Sequence, residues 1–200
     1  MFSFRKPRNA EVEAAIRAAR DPVGGSPPFL SLGNGLQGRK LPVGFARDCL
    51  RSRIGEGEAG FAAARRAFAE WAEFDLGWVR VMNPEIPVAV GQVVAVEVHA
   101  FGLWSLNLSR ILETVDTATR FGFLYRTTLH HAEDGEERFL LEYDPENGGV
   151  WYHLEAVSRP RHALARFAYP LTRGYQHRFA RDSHRRMKAA VLVEPVDRNR

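Results

Sequence analysis

Apolar positions along the chain change period twice. Over residues 9–20, Ala10, Val12, Ala15, Ile16 and Ala19 recur near every 3.6 residues, which predicts a short helix with Asn9 as its N-cap. The stretch DPVGGSPPFLSLGNGLQGRKLPVG that follows holds four prolines and six glycines and reads as loop or linker. FARDCLRSRIG reads as a strand. EAGFAAARRAFAEWAEF then predicts an amphipathic helix, with Phe61, Ala64, Phe68, Trp71 and Ala72 on one face and Gly77 beyond its end.

From Trp78 the period drops to two. GWVRVM alternates, and QVVAVEVHA places Val94, Val96 and Val98 on one face and Val93, Ala95, Glu97 and His99 on the other. LWSLNLSRILETVD, TRFGFLYRTTL, EERFLLEYD and GVWYHLEAVS continue as strands rich in aromatic and β-branched residues. AEDGE (132–136) and DPENGG (144–149) are the expected hairpin connections, the second carrying an Asn-Gly turn. The period then returns to helical: Tyr175, Phe179, Met187 and Val191 form a stripe that includes Ser183. Pro170 is expected to separate a first helical piece, 161–169, from the long one.

One antiparallel sheet of six or seven strands, with its helices segregated, is an α+β fold. Residues 1–44 are expected to be an N-terminal helix and Gly/Pro-rich extension, 45–192 the compact domain and 193–200 a tail. A curved sheet gripping a long C-terminal helix leaves an apolar space between them, where a small hydrophobic or aromatic ligand would sit.

Charge adds an asymmetry. Eight acidic residues and one basic one, Arg138, lie between Glu133 and Glu155, whereas nine basic residues and one acidic one, Asp182, lie between Arg159 and Lys188. The basic segment could meet an anionic membrane or a nucleic acid, but no nucleic-acid module signature accompanies it. No run of about 20 apolar residues exists to span a membrane, and the N-terminus has no signal-peptide pattern, so a cytoplasmic location is expected. The single cysteine, Cys49, rules out an internal disulfide and is expected to be a small buried or half-buried residue. No pattern sets an oligomeric state.

Candidate chemistry concentrates in FLYRTTLHHAEDGEERF (123–139). His130, His131, Glu133 and Asp134 have metal-ligating atoms, but neighbours on a strand face opposite ways and no ligand-spacing motif is present, so no metal and no cofactor are expected. His131 with Glu133 or Glu136 could form an acid–base pair of the cyclase or hydrolase kind. The alternative is a polar hairpin tip. Arg159, where the last strand hands over to the C-terminal helix, is expected to pair with Glu136 or Glu137, or with an anionic ligand group. Phe121, Phe123 and Tyr125 share one strand face, Trp151 and His153 share another with Tyr152 opposite, and Phe139 adds to the aromatic supply.

GWV (77–79), RFGFLYRTTLHHAEDGEERF (120–139) and AVSRP (156–160) resemble the domain-of-unknown-function family DUF1990 over residues 45–192. Tyr125, Thr127, His131, Glu133, Gly135, Glu136 and Glu137 match its pattern Tyr-Gly-Thr-Leu-Pro-Gly-His-Pro-Glu-x-Gly-Glu-Glu. Ser158, Arg159 and Pro160 match a later Ser-Arg-Pro. Arg126, Thr128, Leu129, His130 and Ala132 depart from it. The resemblance implies a helix-grip, START-like fold and carries no settled reaction. With the strand faces, it makes Phe121, Phe123, Tyr125, Thr127, His131, Phe139, Trp151, His153 and Arg159 the candidate ligand-binding set, and His131 and Glu133 the candidate catalytic pair.

Overall fold

The computed structural model describes residues 2–19, 28–36, 40–41, 43–129, 131–161 and 169–192. In chain order these hold β1 (Phe2–Ser3), α1 (Asn9–Ala18), β2 (Ala46–Glu56), α2 (Gly57–Ala69), a 3-10 turn (Ala72–Phe74), β3 (Val79–Val81), β4 (Val93–Ala100), β5 (Leu103–Asp116), β6 (Arg120–Thr127), β7 (Glu133–Tyr143), β8 (Gly149–Pro160) and α3 (Tyr169–Leu192). Seven strands form one antiparallel sheet in the order β2-β8-β7-β6-β5-β4-β3, and β1 pairs with the start of β5. The sheet curls around α3, which lies over β2 and β8 and against α2 and the 3-10 turn. This is the α+β helix-grip arrangement that the pattern and the resemblance together imply.

The alternation of each strand fixes which side chains look toward α3. On β6, β7 and β8 these are Phe121, Phe123 and Tyr125, then Glu137, Phe139 and Leu141, then Val150, Tyr152 and Leu154, matched by Phe123↔Phe139↔Leu154 and Tyr125↔Glu137↔Ala156. With Phe61, Phe68 and Trp71 of the α2 region, Phe74 and Met187, they form the main core. Phe123 and Phe139 stack with ring centres 4.9 Å apart, and Phe74 bridges Phe139 to Phe179 of α3. Gly55 lets the far end of α3 approach, because any Cβ there would run into Val191.

The outer face of the sheet is covered as well. Val12 and Ala19 of the α1 segment pack on Val93, Ala95, Leu106 and Leu108. Leu30 and Leu32 of residues 28–36 pack on Leu124 and Val157. Backbone N–H groups of Phe29 and Leu30 donate to the buried Glu136 at 2.8 and 2.9 Å. Much of what reads as an extension is thus a second layer, because apolar residues scattered among glycines and prolines still find an apolar sheet face. Cys49, expected buried or half-buried, is exposed on the edge strand β2.

Several local expectations shift. α1 begins at Asn9, and Arg8 takes the N-cap position with its N–H bonded to Glu11. α2 stops at Ala69 because Trp71 is left-handed, φ 60°, a conformation that favours glycine. Burial of the Trp71 indole, bonded to the Ile86 carbonyl and packed on Phe123, holds it there. AEDGE (132–136) is not a hairpin connection. β7 begins at Glu133 and pairs with β8 from Glu133↔Pro160 onward, so the turn lies at 128–132. Pro170 sits inside the first turn of α3, where a proline's missing N–H costs nothing. The expected helical piece preceding it falls mostly on residues outside those described, as does His130.

Candidate functional site

The family-like motif is a strand–turn–strand whose alternate residues part onto the two faces of the sheet. Toward α3 point Tyr125 and Thr127 of β6, Glu133, Gly135 and Glu137 of β7, and Ser158 of β8, all at one end of the concave face. Gly135 is needed there: a Cβ would come within 2.7 Å of the Ser158 Cα. Its N–H donates to the Thr127 hydroxyl at 2.9 Å. The first half of α3 closes over this end. Gln176 donates to both oxygens of Glu133, at 2.8 and 2.7 Å, and to Ser158 at 3.1 Å. Arg173 holds Asp48 of β2 with two bonds, and His177 lies 3.2 Å from the same carboxylate.

Beneath these lies the Tyr125 hydroxyl, donating to Glu137 at 2.6 Å. Burial raises the Glu137 carboxyl to about 7, with the nearby charges of Glu133 and Asp48 acting in the same sense. Burial likewise raises Glu133 and, strongly, Tyr125. Farther along the face, the Tyr152 hydroxyl bonds Ser183 of α3 at 2.9 Å, and its ring meets that of His184 at 4.4 Å. His184 reaches Ser52 through Nδ1 at 2.5 Å, and burial lowers it to about 4. Last comes Glu73 on the 3-10 turn, fully buried with no side-chain partner for its carboxyl among the described residues. The arrangement is a row of hydroxyls and carboxyls, half-buried at Glu133 and Glu137 and fully buried at Glu73, set along an aromatic wall.

The sequence-derived residues divide. Phe121, Phe123, Tyr125, Thr127 and Phe139 face α3, but Phe123 and Phe139 are packed solid within the core. Trp151 and His153 lie on the opposite face, so they cannot line a space beneath α3. Arg51 sits over the Trp151 ring at 3.8 Å, and His153 contacts Glu142 at 2.7 Å. The reason is register: Tyr152, their neighbour, is the one opposite Leu141, and a strand can show only alternate residues to the core. Arg159 pairs with Asp134 at 2.9 Å and lies over the Phe45 ring, rather than joining Glu136 or Glu137. Glu136 is taken by Arg126, and Glu137 by Tyr125.

Among the described residues no contact joins the His131 ring to a carboxylate. His131 Nδ1 accepts the Glu133 N–H at 3.0 Å and so braces the 128–132 turn, and burial lowers the imidazole to about 3. Asn107 of β5 holds the same turn through the Ala132 N–H at 3.3 Å. Glu133 and Asp134 point to opposite faces, and among the described residues no three His, Cys, Asp or Glu side chains converge on a metal-sized site. The pattern reading passed over Glu73, Asp48, Tyr152 and Gln176. Only Ser183, a polar residue within the α3 stripe, was a visible sign of polar contacts inside the grip.

A groove of about 860 Å³ opens at the other end of the molecule, where Arg53, Gly60, Arg66, Lys188, Val191 and Leu192 meet. None of the motif residues borders it. Among the described residues no helix is long and apolar enough to cross a membrane.

Comparison with known proteins bears on this geometry. A "UPF0548 protein" of Dictyostelium discoideum is 31% identical over 208 residues, spanning 96% of this chain and 96% of that protein. Among solved structures, Ara h 8.0201 superposes with a TM-score of 0.52 at 15% identity, over 76% of this chain and all of that one. The di-domain ARO/CYC BexL superposes with a TM-score of 0.55 at 18% identity, over 77% of this chain and 52% of that one. At such identities the two structures establish the fold alone. The family model described as "Domain of unknown function (DUF1990)" matches residues 32–186, which include every motif residue of the concave row, and the chain belongs to that family.

Proposed function

We propose that the protein binds a small, largely apolar molecule against the concave face of its sheet, beneath the first half of α3. One observation carries this reading. The inward-facing residues of two separate motif segments, Tyr125, Thr127, Glu133, Gly135 and Glu137 from one and Ser158 from the other, meet at a half-buried polar end of an aromatic wall. Buried polar groups normally satisfy one another in a core. Here Tyr125 and Glu137 hold each other, Glu133 is held by the neutral Gln176 and Ser158, and all face the element that closes over them. A few polar groups converging on an aromatic concave surface are the makings of a small-molecule site. In this reading Tyr125 and Glu137 orient the polar part of the molecule, and Tyr152 and Phe179 meet its apolar body.

Native mass spectrometry of the purified full chain, followed by solvent extraction, tests the proposal. A discrete added mass that is released on extraction, and that is lost or reduced in Glu137→Gln and Tyr125→Phe, is the expected result. A bare-chain mass, together with no thermal shift across a panel of small aromatic compounds, would refute it.

A further inference from the structure

The two faces of the sheet treat their carboxyl groups differently. On the outer face every buried glutamate has its own arginine: Glu97 has Arg80 at 2.8 Å, Glu136 has Arg126, and Glu155 has both Arg47 at 2.7 Å and Arg138 at 3.0 Å. Beneath α3 the pattern reverses. Glu133 is met by the Gln176 amide and the Ser158 hydroxyl, Glu137 by the Tyr125 hydroxyl, and Glu73 by no side chain among the described residues. Arg173 at the rim is bonded to Asp48, and its charge reaches Glu133 from there. Arg186, farther along α3, is held by Asp75 at the surface.

The chain therefore supplies a guanidinium wherever a carboxylate is buried on one side, and withholds it on the other. An unpaired buried carboxylate is costly, so such a group waits as the neutral acid until a cation arrives. Burial pushes Glu133, Glu137 and, strongly, Glu73 toward the neutral acid. The charges of Glu73 and Glu137 both act on the Tyr152 hydroxyl. Aromatic rings flank the row, and ring faces attract cations. Glu73 is the most telling member. A glutamate that is 0% exposed, with only its own backbone N–H acting on the carboxyl, has no side-chain donor among the described residues.

We infer that the molecule held beneath α3 is an organic cation, an amine carried on an aromatic or otherwise apolar body, with its ammonium group received by the Glu137 carboxyl at the half-buried end of the inner row. This rests on the binding reading above and names the chemical class of its ligand. A neutral alcohol could use the same hydroxyls but would not need three acids without a base. A carboxylate ligand would add negative charge to a row that already lacks cations of its own.

The test uses one skeleton with three head groups. The purified full chain is titrated at about pH 7.5 with 2-(2-naphthyl)ethylamine, the corresponding alcohol and 2-naphthylacetate, followed by calorimetry. The amine is expected to bind at least about tenfold more tightly than the alcohol, with the carboxylate weakest. Glu137→Gln should remove most of the amine's advantage over the alcohol, and Glu73→Gln should reduce it. Binding of the alcohol or the carboxylate as tight as that of the amine overturns the cation inference while leaving the binding reading in place. Binding by none of the three overturns both.

Discussion

Replacing Glu137 by glutamine keeps the side chain's shape and an acceptor for the Tyr125 hydroxyl, and removes only the titrating proton. Burial beneath α3 raises this carboxyl from 4.5 to about 7. The folded chain thus holds a proton that the unfolded chain has already lost. The group's stabilising contribution is complete below about pH 4.5 and disappears as the pH rises through about 7. At about 1.4 kcal/mol per tenfold change in proton affinity, the full effect is about 3 kcal/mol. Glu137 keeps some contact with water, so about 2 kcal/mol is the better figure, or roughly 4–8 °C in the melting midpoint for a domain of this size. Thermal unfolding of both proteins is followed by circular dichroism from about pH 5 to 8 at constant ionic strength. Near pH 5 the two should melt close together. Toward pH 8 the variant should become the more stable, by about the amount just derived. Parallel profiles would show that Glu137 ionises as an ordinary exposed carboxylate, and the account of a desolvated inner row would fail with it.

Other consequences can be measured directly. Phe139→Ala should cost about 3–5 kcal/mol in urea unfolding, because Phe139 is fully buried between Phe74 and Phe123. Trp151→Ala should cost no more than about 1 kcal/mol, because the ring packs on Arg51 outside the grip; equal costs would contradict the assignment of faces. Glu136→Gln should cost about 3 kcal/mol, because Arg126 would be left beside a neutral group and the bonds from Phe29 and Leu30 would weaken. Limited proteolysis within residues 28–36 should speed up accordingly. His131→Asn should flatten the acid side of the stability profile. The imidazole is depressed from 6.5 to about 3, so the stability it lends is present above about pH 6.5 and is lost as the pH falls toward 3. Urea midpoints at about pH 4 and pH 7 check this, and an unchanged difference between them would count against a desolvated ring.

Element types were largely legible along the chain, because an apolar stripe has one period on a helix and another on a strand. The faces that matter were half legible. Alternation alone placed Phe121, Phe123 and Tyr125 together and set Tyr152 against Trp151 and His153. Nothing local shows which of two aromatic faces looks inward, since Trp151 and Tyr152 are equally plausible core residues until Leu141↔Tyr152 pairing decides between them. Acidic residues misled for a related reason. AEDGE has turn composition, yet Glu136 finds Arg126 and two backbone N–H groups, and Gly135 finds Thr127, so the segment extends as strand. Composition reports what a residue costs to bury alone, and only the fold shows the partner that offsets that cost.

By itself, then, the sequence determined the α+β class, the order of strands and helices, the stripe of α3 and the two motif segments. Each of these follows from short-range periodicity or from residue identity at fixed spacing. The tertiary structure decided the rest: that residues 28–36 roof the outer face, that His131 braces a turn, that Arg159 serves Asp134, and that Glu133, Glu137 and Glu73 share one interior without a base. Those facts depend on strand register and on contacts between residues as far apart as Phe68 and Tyr152, or Glu133 and Gln176. Such pairings leave no trace in local pattern, because a side chain's charge and burial energy are set by neighbours that only the folded chain brings to it.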